Sequence, residues 1–157
     1  MLDAIASAPE RHRGVAIVDA TFTDEDFDAL HAGDVRGVRF NFVRHLGGAP
    51  DMRVFHDVVG RIGRLGWHVV LHLDARDIPE LTGMIRALPV PFVIDHMGRV
   101  DSSAGLDQPA FRTLLDLARS EGCWVKVCGA ERVSSPPYDR AVPFARALVE
   151  AIPDRVL

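Results

Sequence analysis

Short apolar segments alternate with amphipathic helical segments along almost the whole chain, and this alternation limits the possible folds more than any other feature. Five segments rich in Val, Ile and Phe are predicted to be strands, at residues 14–18, 37–42, 68–73, 92–95 and 124–128. They show little apolar–polar alternation, which is typical of parallel strands covered on both faces. The chain is therefore predicted to be an α/β protein with a parallel sheet.

Helix-start signals stand between the predicted strands. Thr23 and Asp26 form a weak capping box ahead of one helix, and Asp51 and Asp77 are predicted to cap two others. The last helix is predicted at residues 138–152, and residues 155–157 resemble the start of a further strand. Successive strands are 20–30 residues apart, roughly the spacing of βαβ units.

Both an open doubly wound sheet and a (β/α)8 barrel show this alternation, and the position of the polar residues separates the two folds. An open sheet concentrates its site at one switch point, whereas a barrel collects it from the ends of many strands. Every predicted strand here ends in polar or charged side chains: Asp19, Arg39 and Asn41, His72 and Asp74, Asp95 and His96, and Lys126. This spread favours the barrel.

Length and charge narrow the interpretation further. The 157 residues correspond to about five-eighths of a barrel that typically needs about 250 residues. We therefore predict one incomplete barrel domain over residues 1–157. The 18 basic and 22 acidic side chains give a net charge of −4 without a basic cluster, which argues against nucleic-acid or membrane-surface partners.

A cytoplasmic location is expected. The N-terminal segment has an acidic residue at position 3 and lacks the apolar stretch of a signal peptide, and no apolar run is long enough to span a bilayer. The two cysteines, Cys123 and Cys128, are predicted to face opposite sides of one strand, which makes a disulfide between them unfavourable.

His96 is the strongest single candidate for a catalytic residue, because it directly follows an apolar strand in the segment VIDHMG. An imidazole at the mouth of a strand can bind a metal, donate to a carbonyl oxygen or move a proton. The alternative is a structural histidine satisfied by the neighbouring Asp95. The chain has no GxGxxG turn after a strand, no P-loop and no GxSxG elbow.

Arg39 and Asn41 lie two residues apart on one strand and therefore share a face. A buried, unpaired arginine is very costly, so this face is expected to be hydrated or filled by a ligand. The alternative is an internal salt bridge, with Asp19 or Asp74 as the partner. Arg44 and His45 follow in a predicted loop, where such residues are usually solvated.

Four further residues at or just after strand ends have a functional or a structural interpretation. His72 can hydrogen-bond a substrate, while Asp74 on the same face is expected to hold a neighbouring side chain. Arg132 can clamp a carboxylate or form a surface ion pair with Glu131. Lys126 can act as a nucleophile, although a structural ion pair is the favoured interpretation.

Four motifs in this order resemble the amidohydrolase superfamily, and more closely its branch of 2-pyrone-4,6-dicarboxylate lactonases: GVRFNFV (37–43), GWHVVLHLDA (66–75), VIDHMGR (93–99) and WVKVCGAERVS (124–134). PDRVL (153–157) is similar to the segment before the WGTDWPHP signature of that family. The resemblance covers nearly the whole chain from Leu2. It implies a partial (β/α)8 TIM barrel containing strands three to seven and the start of strand eight.

The same resemblance implies site residues that this sequence lacks. Family members carry an HxH pair on the first strand and a catalytic Asp on the last, and neither occurs here. We therefore expect this chain by itself to be inactive or nearly so. His96 matches the histidine at the end of strand six, which polarises the scissile carbonyl in metal-free lactonases and is a ligand in metal-dependent relatives.

The resemblance also assigns the substrate-binding residues. Arg39 and Arg132 match two arginines that bind substrate carboxylates. His72 falls where the dicarboxylate lactonases have a tyrosine, and His45 falls where they have a second arginine, with Arg44 beside it. These departures favour a related lactone, such as a sugar-acid lactone or a muconolactone.

Three functional hypotheses follow. The first is hydrolysis of a small carboxylated lactone without a cofactor, with His96 as the catalytic residue and Arg39, Asn41, Arg44, His45, His72 and Arg132 as substrate-binding residues. The second is a metal-dependent amidohydrolase or decarboxylase of the same superfamily, with His96 on Zn²⁺. The third is a non-catalytic binding domain built on an open sheet.

Overall fold

The computed structural model describes residues 1–157 and contains one parallel sheet with the strand order β1-β2-β3-β4-β5. Each strand pairs with the next strand along the chain, so the sheet has no point at which the strand order reverses. This order excludes the open doubly wound sheet and is that of consecutive barrel strands. The strands are β1 (Gly14–Ala16), β2 (Val35–Asn41), β3 (His68–His72), β4 (Phe92–Ile94) and β5 (Cys123–Val125).

One α-helix lies in each connection between strands, one precedes β1, and one follows β5. The helices are α1 (Leu2–Ala6), α2 (Asp24–Ala32), α3 (Met52–Gly63), α4 (Ile78–Arg86), α5 (Pro109–Ala118) and α6 (Val142–Ala151). None of them is long and apolar enough to cross a membrane.

The two faces of the sheet differ in chemistry. Val38 and Phe40 of β2 and Leu71 of β3 are buried in the main apolar core, together with Phe55 and Ile62 of α3. Alternate strand residues point to opposite faces, so this core lies between the sheet and its helices. The other face corresponds to a barrel interior.

All three predicted cap residues stand at helix starts, and two of them cap with their side chains. The Thr23 hydroxyl accepts from the backbone N–H of Asp26 at 3.2 Å, and the Asp26 carboxylate accepts from the Thr23 N–H at 2.8 Å. Asp51 accepts from a backbone N–H at the start of α3. Asp77 is the N-cap residue of α4, as predicted, but its side chain makes no capping bond and instead accepts from Arg44 at 3.0 Å.

Two predicted boundaries are corrected by the backbone. The last helix begins at Val142 rather than at residue 138, because Tyr138 has a left-handed backbone with φ 69°. The last predicted strand ends at Val125 rather than at Cys128. Both cysteines are free. Cys128 lies beyond the strand on which it was expected.

The predicted start of a further strand at residues 155–157 is confirmed. Val156 forms a parallel bridge with Val125 of β5. Leu157 donates its backbone N–H to the Val125 carbonyl at 3.0 Å and accepts from the Val127 N–H at 2.8 Å. The segment therefore joins the sheet beside β5, where the next barrel strand would lie.

Candidate active site

Strand register places four polar side chains in one row at the carboxyl ends of β2 to β5. Asn41 is the partner of His72 in the β2–β3 ladder. The ladders from β3 to β5 align Leu71 with Ile94 and Ile94 with Val125, so the residues that follow, His72, Asp95 and Lys126, stand side by side. Active sites of barrel enzymes lie at this end of the strands.

Asp95 is the centre of the row. It is almost completely buried, its Oδ2 accepts from Arg39 Nε at 2.8 Å, and Lys126 Nζ lies 2.8 Å from its Oδ1. Burial by itself would raise the pKa of Asp95, but Lys126 and Arg39 outweigh burial and hold that pKa below its usual value. The carboxylate is therefore charged and already paired on both oxygens.

These contacts settle three expectations from the sequence. An internal salt bridge of Arg39 exists, but the expected partners were wrong: Asp19 accepts from Thr21, and Asp74 accepts from Arg99 Nε at 2.7 Å. Asp74 thus holds a neighbouring side chain, as predicted. Lys126 takes part in a structural ion pair, as predicted.

The guanidinium of Arg39 still has unused donors. Only its Nε bonds to the protein, and the side chain is 33% exposed. Arg39 and Asn41 line a cavity of about 440 Å³ together with residues 17–20 and 46–51. The two terminal nitrogens of Arg39 can therefore meet a carboxylate in this cavity, with their orientation fixed by Asp95.

Asn41 orders the loop that follows β2. Its Nδ2 donates to the Leu46 carbonyl at 2.9 Å, and its Oδ1 accepts from the Val43 N–H at 3.3 Å. The same loop carries Arg44, which is exposed and paired with Asp77, and the exposed His45. A direct substrate contact by Asn41, Arg44 or His45 stays a prediction.

His96 lies in an unusual backbone segment. His96, Met97, Gly98 and Arg99 all have positive φ, between 51° and 62°. Each non-glycine residue in this region costs roughly 1–2 kcal/mol, and such conformations cluster at functional sites. The fold therefore holds His96 in a costly conformation at the mouth of β4.

The ring of His96 is held by Cys128 and Gly129. Its Nδ1 lies 3.3 Å from Cys128 Sγ, and a Cβ atom on Gly129 would come within 2.8 Å of Nδ1. Nε2 makes no hydrogen bond to the protein. The structural alternative, a histidine satisfied by Asp95, is wrong because that carboxylate bonds to Arg39 and pairs with Lys126 instead.

His72 is buried beside His96, with the two rings edge to face and their centroids 5.4 Å apart. Neither ring nitrogen of His72 has a hydrogen-bond partner. Burial, followed by the charge of Arg39, lowers the pKa of His72 to about 4. Burial also lowers the pKa of His96; Asp95 opposes this effect, while Arg132 and Arg39 add to it. Both imidazoles are therefore neutral at pH 7.

The buried, neutral His72 predicts acid sensitivity of folding. In the unfolded chain His72 titrates near 6.5, and in the folded chain its pKa is about 4. Between these values the unfolded state binds more protons, so the free energy of unfolding falls as the pH is lowered, by up to about 1.4 kcal/mol per pH unit from this group. Urea unfolding at several pH values measures this slope.

The variant His72→Leu should have a shallower slope over this pH window. His56→Leu makes the same change at an exposed position and should keep the wild-type slope. An unchanged slope in His72→Leu would contradict the assignment. The remaining slope in that variant is expected to come from His68 and His96, whose pKa values burial also lowers.

Arg132 stands on a short turn, Ala130–Arg132, after β5. Its Nε is 3.2 Å from a Glu131 oxygen, so the predicted surface ion pair is present, and its terminal nitrogens have no protein partner. It lines a second cavity, of about 760 Å³, formed by residues 101–103 and 131–140. Its charge also reaches His96, whose pKa it lowers.

The residues of this site do not supply the set of ligands that a zinc ion would need. Nowhere in the chain do three or more His, Cys, Asp or Glu side chains converge in a way that could hold a metal ion. His96 and His72 are neighbours, but Asp95 is engaged by two cations. These residues by themselves do not fit a zinc site.

Sequence reasoning missed two members of this site. Asp95 was noted as a strand-end residue and as a partner of His96, but it was not included among the candidate site residues. Cys128 was considered only for disulfide formation. Its position directly after a strand, next to a glycine, was the available signal.

The whole chain, residues 1–157, matches the sequence family described as Amidohydrolase. It is 42% identical over 168 residues to a 2-pyrone-4,6-dicarboxylate hydrolase of Comamonas testosteroni, an alignment that covers 100% of this chain and 55% of that protein. A 4-sulfomuconolactone hydrolase of Hydrogenophaga intermedia is 39% identical over 159 residues, with 99% of this chain and 52% of that protein covered.

Similarity to solved structures agrees with these sequence matches. A candidate 2-pyrone-4,6-dicarboxylic acid hydrolase from Pseudomonas putida superimposes with a TM-score of 0.84 at 34% identity, over 99% of this chain and 59% of that one. The five-stranded sheet is thus part of a (β/α)8 barrel, and the chain spans about half the length of the curated relatives it matches. The sequence match from the first residue to the last shows that this chain belongs to the amidohydrolase family.

Proposed function

We propose that this chain provides the carboxylate-binding and carbonyl-polarising part of an enzyme that hydrolyses a carboxylated lactone. The observation that carries the proposal is the arrangement of Arg39, which Asp95 holds with its terminal nitrogens free, beside the neutral His96 with Nε2 unpartnered. The names of the two curated relatives, both lactone or pyrone hydrolases, support this assignment.

Each group has a defined task in this reaction. Arg39 binds one carboxylate of the substrate, and Arg132 binds a second acidic group, so that the ring is held in one orientation. His96 donates from Nε2 to the lactone carbonyl oxygen and stabilises the negative charge that develops there when water attacks. Lys126, which lies next to this position in the row, adds to the positive potential.

The base that activates water is expected from outside the polar row. Asp95 cannot take a proton easily, because two cations hold its pKa below the usual value. The family resemblance implies an Asp on strand eight for this task. We therefore propose that residues 1–157 bind the substrate but need that Asp and the HxH pair for turnover.

The substrate class follows from the charges at the site. Two arginines with free terminal nitrogens suit a lactone that carries two acidic groups, such as 2-pyrone-4,6-dicarboxylate or a sulfomuconolactone. A cytoplasmic location, with this small molecule rather than a nucleic acid as the partner, is part of the same proposal. The absence of a basic cluster and the two free cysteines support it.

The test is a hydrolysis assay on the product of the complete native gene, with carboxylated lactones and an uncharged lactone as substrates. We expect turnover of a carboxylated lactone only. The variant His96→Gly should lower kcat by about 100- to 1,000-fold, the usual effect of removing one donor to an oxyanion. Glycine suits this position because it adopts a left-handed backbone without steric cost. Wild-type kinetics in this variant would refute the role of His96.

Metal dependence is tested in the same preparation. We propose hydrolysis without a metal, so activity should survive treatment with a chelator, and the purified protein should contain zinc well below one equivalent. Stoichiometric zinc together with loss of activity after chelation would support the metal-dependent alternative instead.

A further inference from the structure

Cys128 is the one protein group in hydrogen-bond reach of the His96 ring. Its Sγ lies 3.3 Å from Nδ1, and neither that sulfur nor either ring nitrogen has another hydrogen-bond partner. Cys128 is exposed, so no burial forces this contact. The contact is therefore best explained as a specific hydrogen bond between the thiol and the imidazole.

The direction of this hydrogen bond follows from the chemistry of the two atoms. A thiol is a weak donor and its sulfur a weak acceptor, whereas the unprotonated nitrogen of a neutral imidazole is a good acceptor. The favoured arrangement has the thiol donating to Nδ1. Because a neutral imidazole carries one proton, that proton must then be on Nε2.

None of the charged groups around His96 hydrogen-bonds to Nδ1, so the thiol is its available partner. Histidines are commonly oriented by a carboxylate that accepts from Nδ1–H, an arrangement that leaves Nε2 without a proton. Asp95 is the adjacent carboxylate, but Arg39 and Lys126 occupy it. Arg132 adds positive charge, and His72 faces His96 only through ring contact. Nothing competes with Cys128 for Nδ1.

We propose that Cys128 is a positioning residue that fixes the proton of His96 on Nε2. This tautomer makes Nε2 a donor, which is what a developing oxyanion needs, and it removes the lone pair with which Nε2 would bind a metal. The effect on catalysis rests on the proposed function, whereas the tautomer assignment does not.

Gly129 makes the contact possible. Its backbone has φ +72° and packs against the imidazole so closely that a Cβ atom would come within 2.8 Å of Nδ1 and 3.2 Å of the His96 Cβ. The chain can therefore bring the Cys128 sulfur to the edge of the ring. The left-handed segment at residues 96–99 fixes the backbone from which the His96 side chain extends.

The test is nitrogen NMR of the histidine rings in the 157-residue chain, which distinguishes the two neutral tautomers directly. We compare the wild type, Cys128→Ser, Cys128→Ala and the control Ser135→Ala, which alters an exposed hydroxyl on the following loop. His96 should be protonated on Nε2 in the wild type, in the serine variant and in the control. In Cys128→Ala the ratio of the tautomers should shift by about fivefold toward Nδ1–H, the worth of one weak hydrogen bond.

Two results would overturn the proposal: an Nδ1-protonated His96 in the wild type, or an unchanged ratio in Cys128→Ala. The wild-type spectrum decides the first point even where a variant fails to fold. In the complete gene product, Cys128→Ala should lower kcat with little effect on KM, and Cys128→Ser should restore it. If the gene product hydrolyses no lactone while the tautomer result holds, the proposed function fails and the role of Cys128 in setting the tautomer stands.

Discussion

If the proposed function is correct, replacing Arg39 with alanine is expected to weaken the binding of 2-pyrone-4,6-dicarboxylate by about 30- to 1,000-fold. This range corresponds to roughly 2–4 kcal/mol, the usual cost of truncating one partner of a hydrogen-bonded charge pair. Arg39 offers two parallel donors, and Asp95 fixes their direction at 2.8 Å from Nε. Titration calorimetry with the 157-residue chain measures the loss.

Two further variants make the result specific. Arg39→Lys keeps a positive charge near Asp95 but lacks the planar fork, so affinity should fall less than in the alanine variant. Arg112→Ala removes an exposed arginine on α5 that pairs with Asp107, and it should bind like the wild type. Wild-type affinity in a folded Arg39→Ala protein would exclude Arg39 from the binding site.

Asp95→Asn is expected to be the most destabilising conservative substitution in the polar row. The change keeps the shape of the side chain but leaves Arg39 and Lys126 beside each other without the negative charge that both now contact. Asp95 is buried but both cations are about one-third exposed, so solvent screens part of the loss, and the cost should be about 2 kcal/mol. For a chain of this length, Tm should fall by about 6 °C, as measured by thermal unfolding.

A second substitution should relieve part of this loss. The double variant Asp95→Asn/Lys126→Met removes one of the two stranded charges and should be more stable than Asp95→Asn alone. Asp116→Asn is the matched control, since it breaks an exposed ion pair with Arg86 and should cost less than about 1 kcal/mol. An unchanged Tm in Asp95→Asn would show that the buried contacts of Asp95 do not stabilise the fold.

Most of the architecture could be predicted from the sequence, because short apolar segments and capping residues act locally. Thr23 and Asp26 form the expected capping box, and the segment at residues 155–157 joins the sheet as expected. Tyr138 is the counter-example. Its left-handed backbone delays the last helix, and helical periodicity does not record the conformation of a single residue.

The site was predictable in its residue types but not in its pairings. An internal salt bridge was the alternative interpretation of Arg39, yet its partner, Asp95, lies 56 residues away at the end of β4, which is not adjacent to β2. That contact depends on the register of β2 against β3 and of β3 against β4, which no local pattern encodes. The same reason explains Cys128: its contact with His96 needs the geometry of two loops, from β4 and from β5.

The polar row has a practical consequence for enzyme engineering. Its members sit at the ends of strands, where the ladder of backbone hydrogen bonds sets their spacing, whereas the two cavities are bordered by the loop segments 46–51 and 131–140. Under the proposed function, diversity introduced into these loops should therefore change which acidic lactone is accepted while the charge network around Asp95 remains intact. Libraries restricted to these two segments would explore specificity without sacrificing the scaffold.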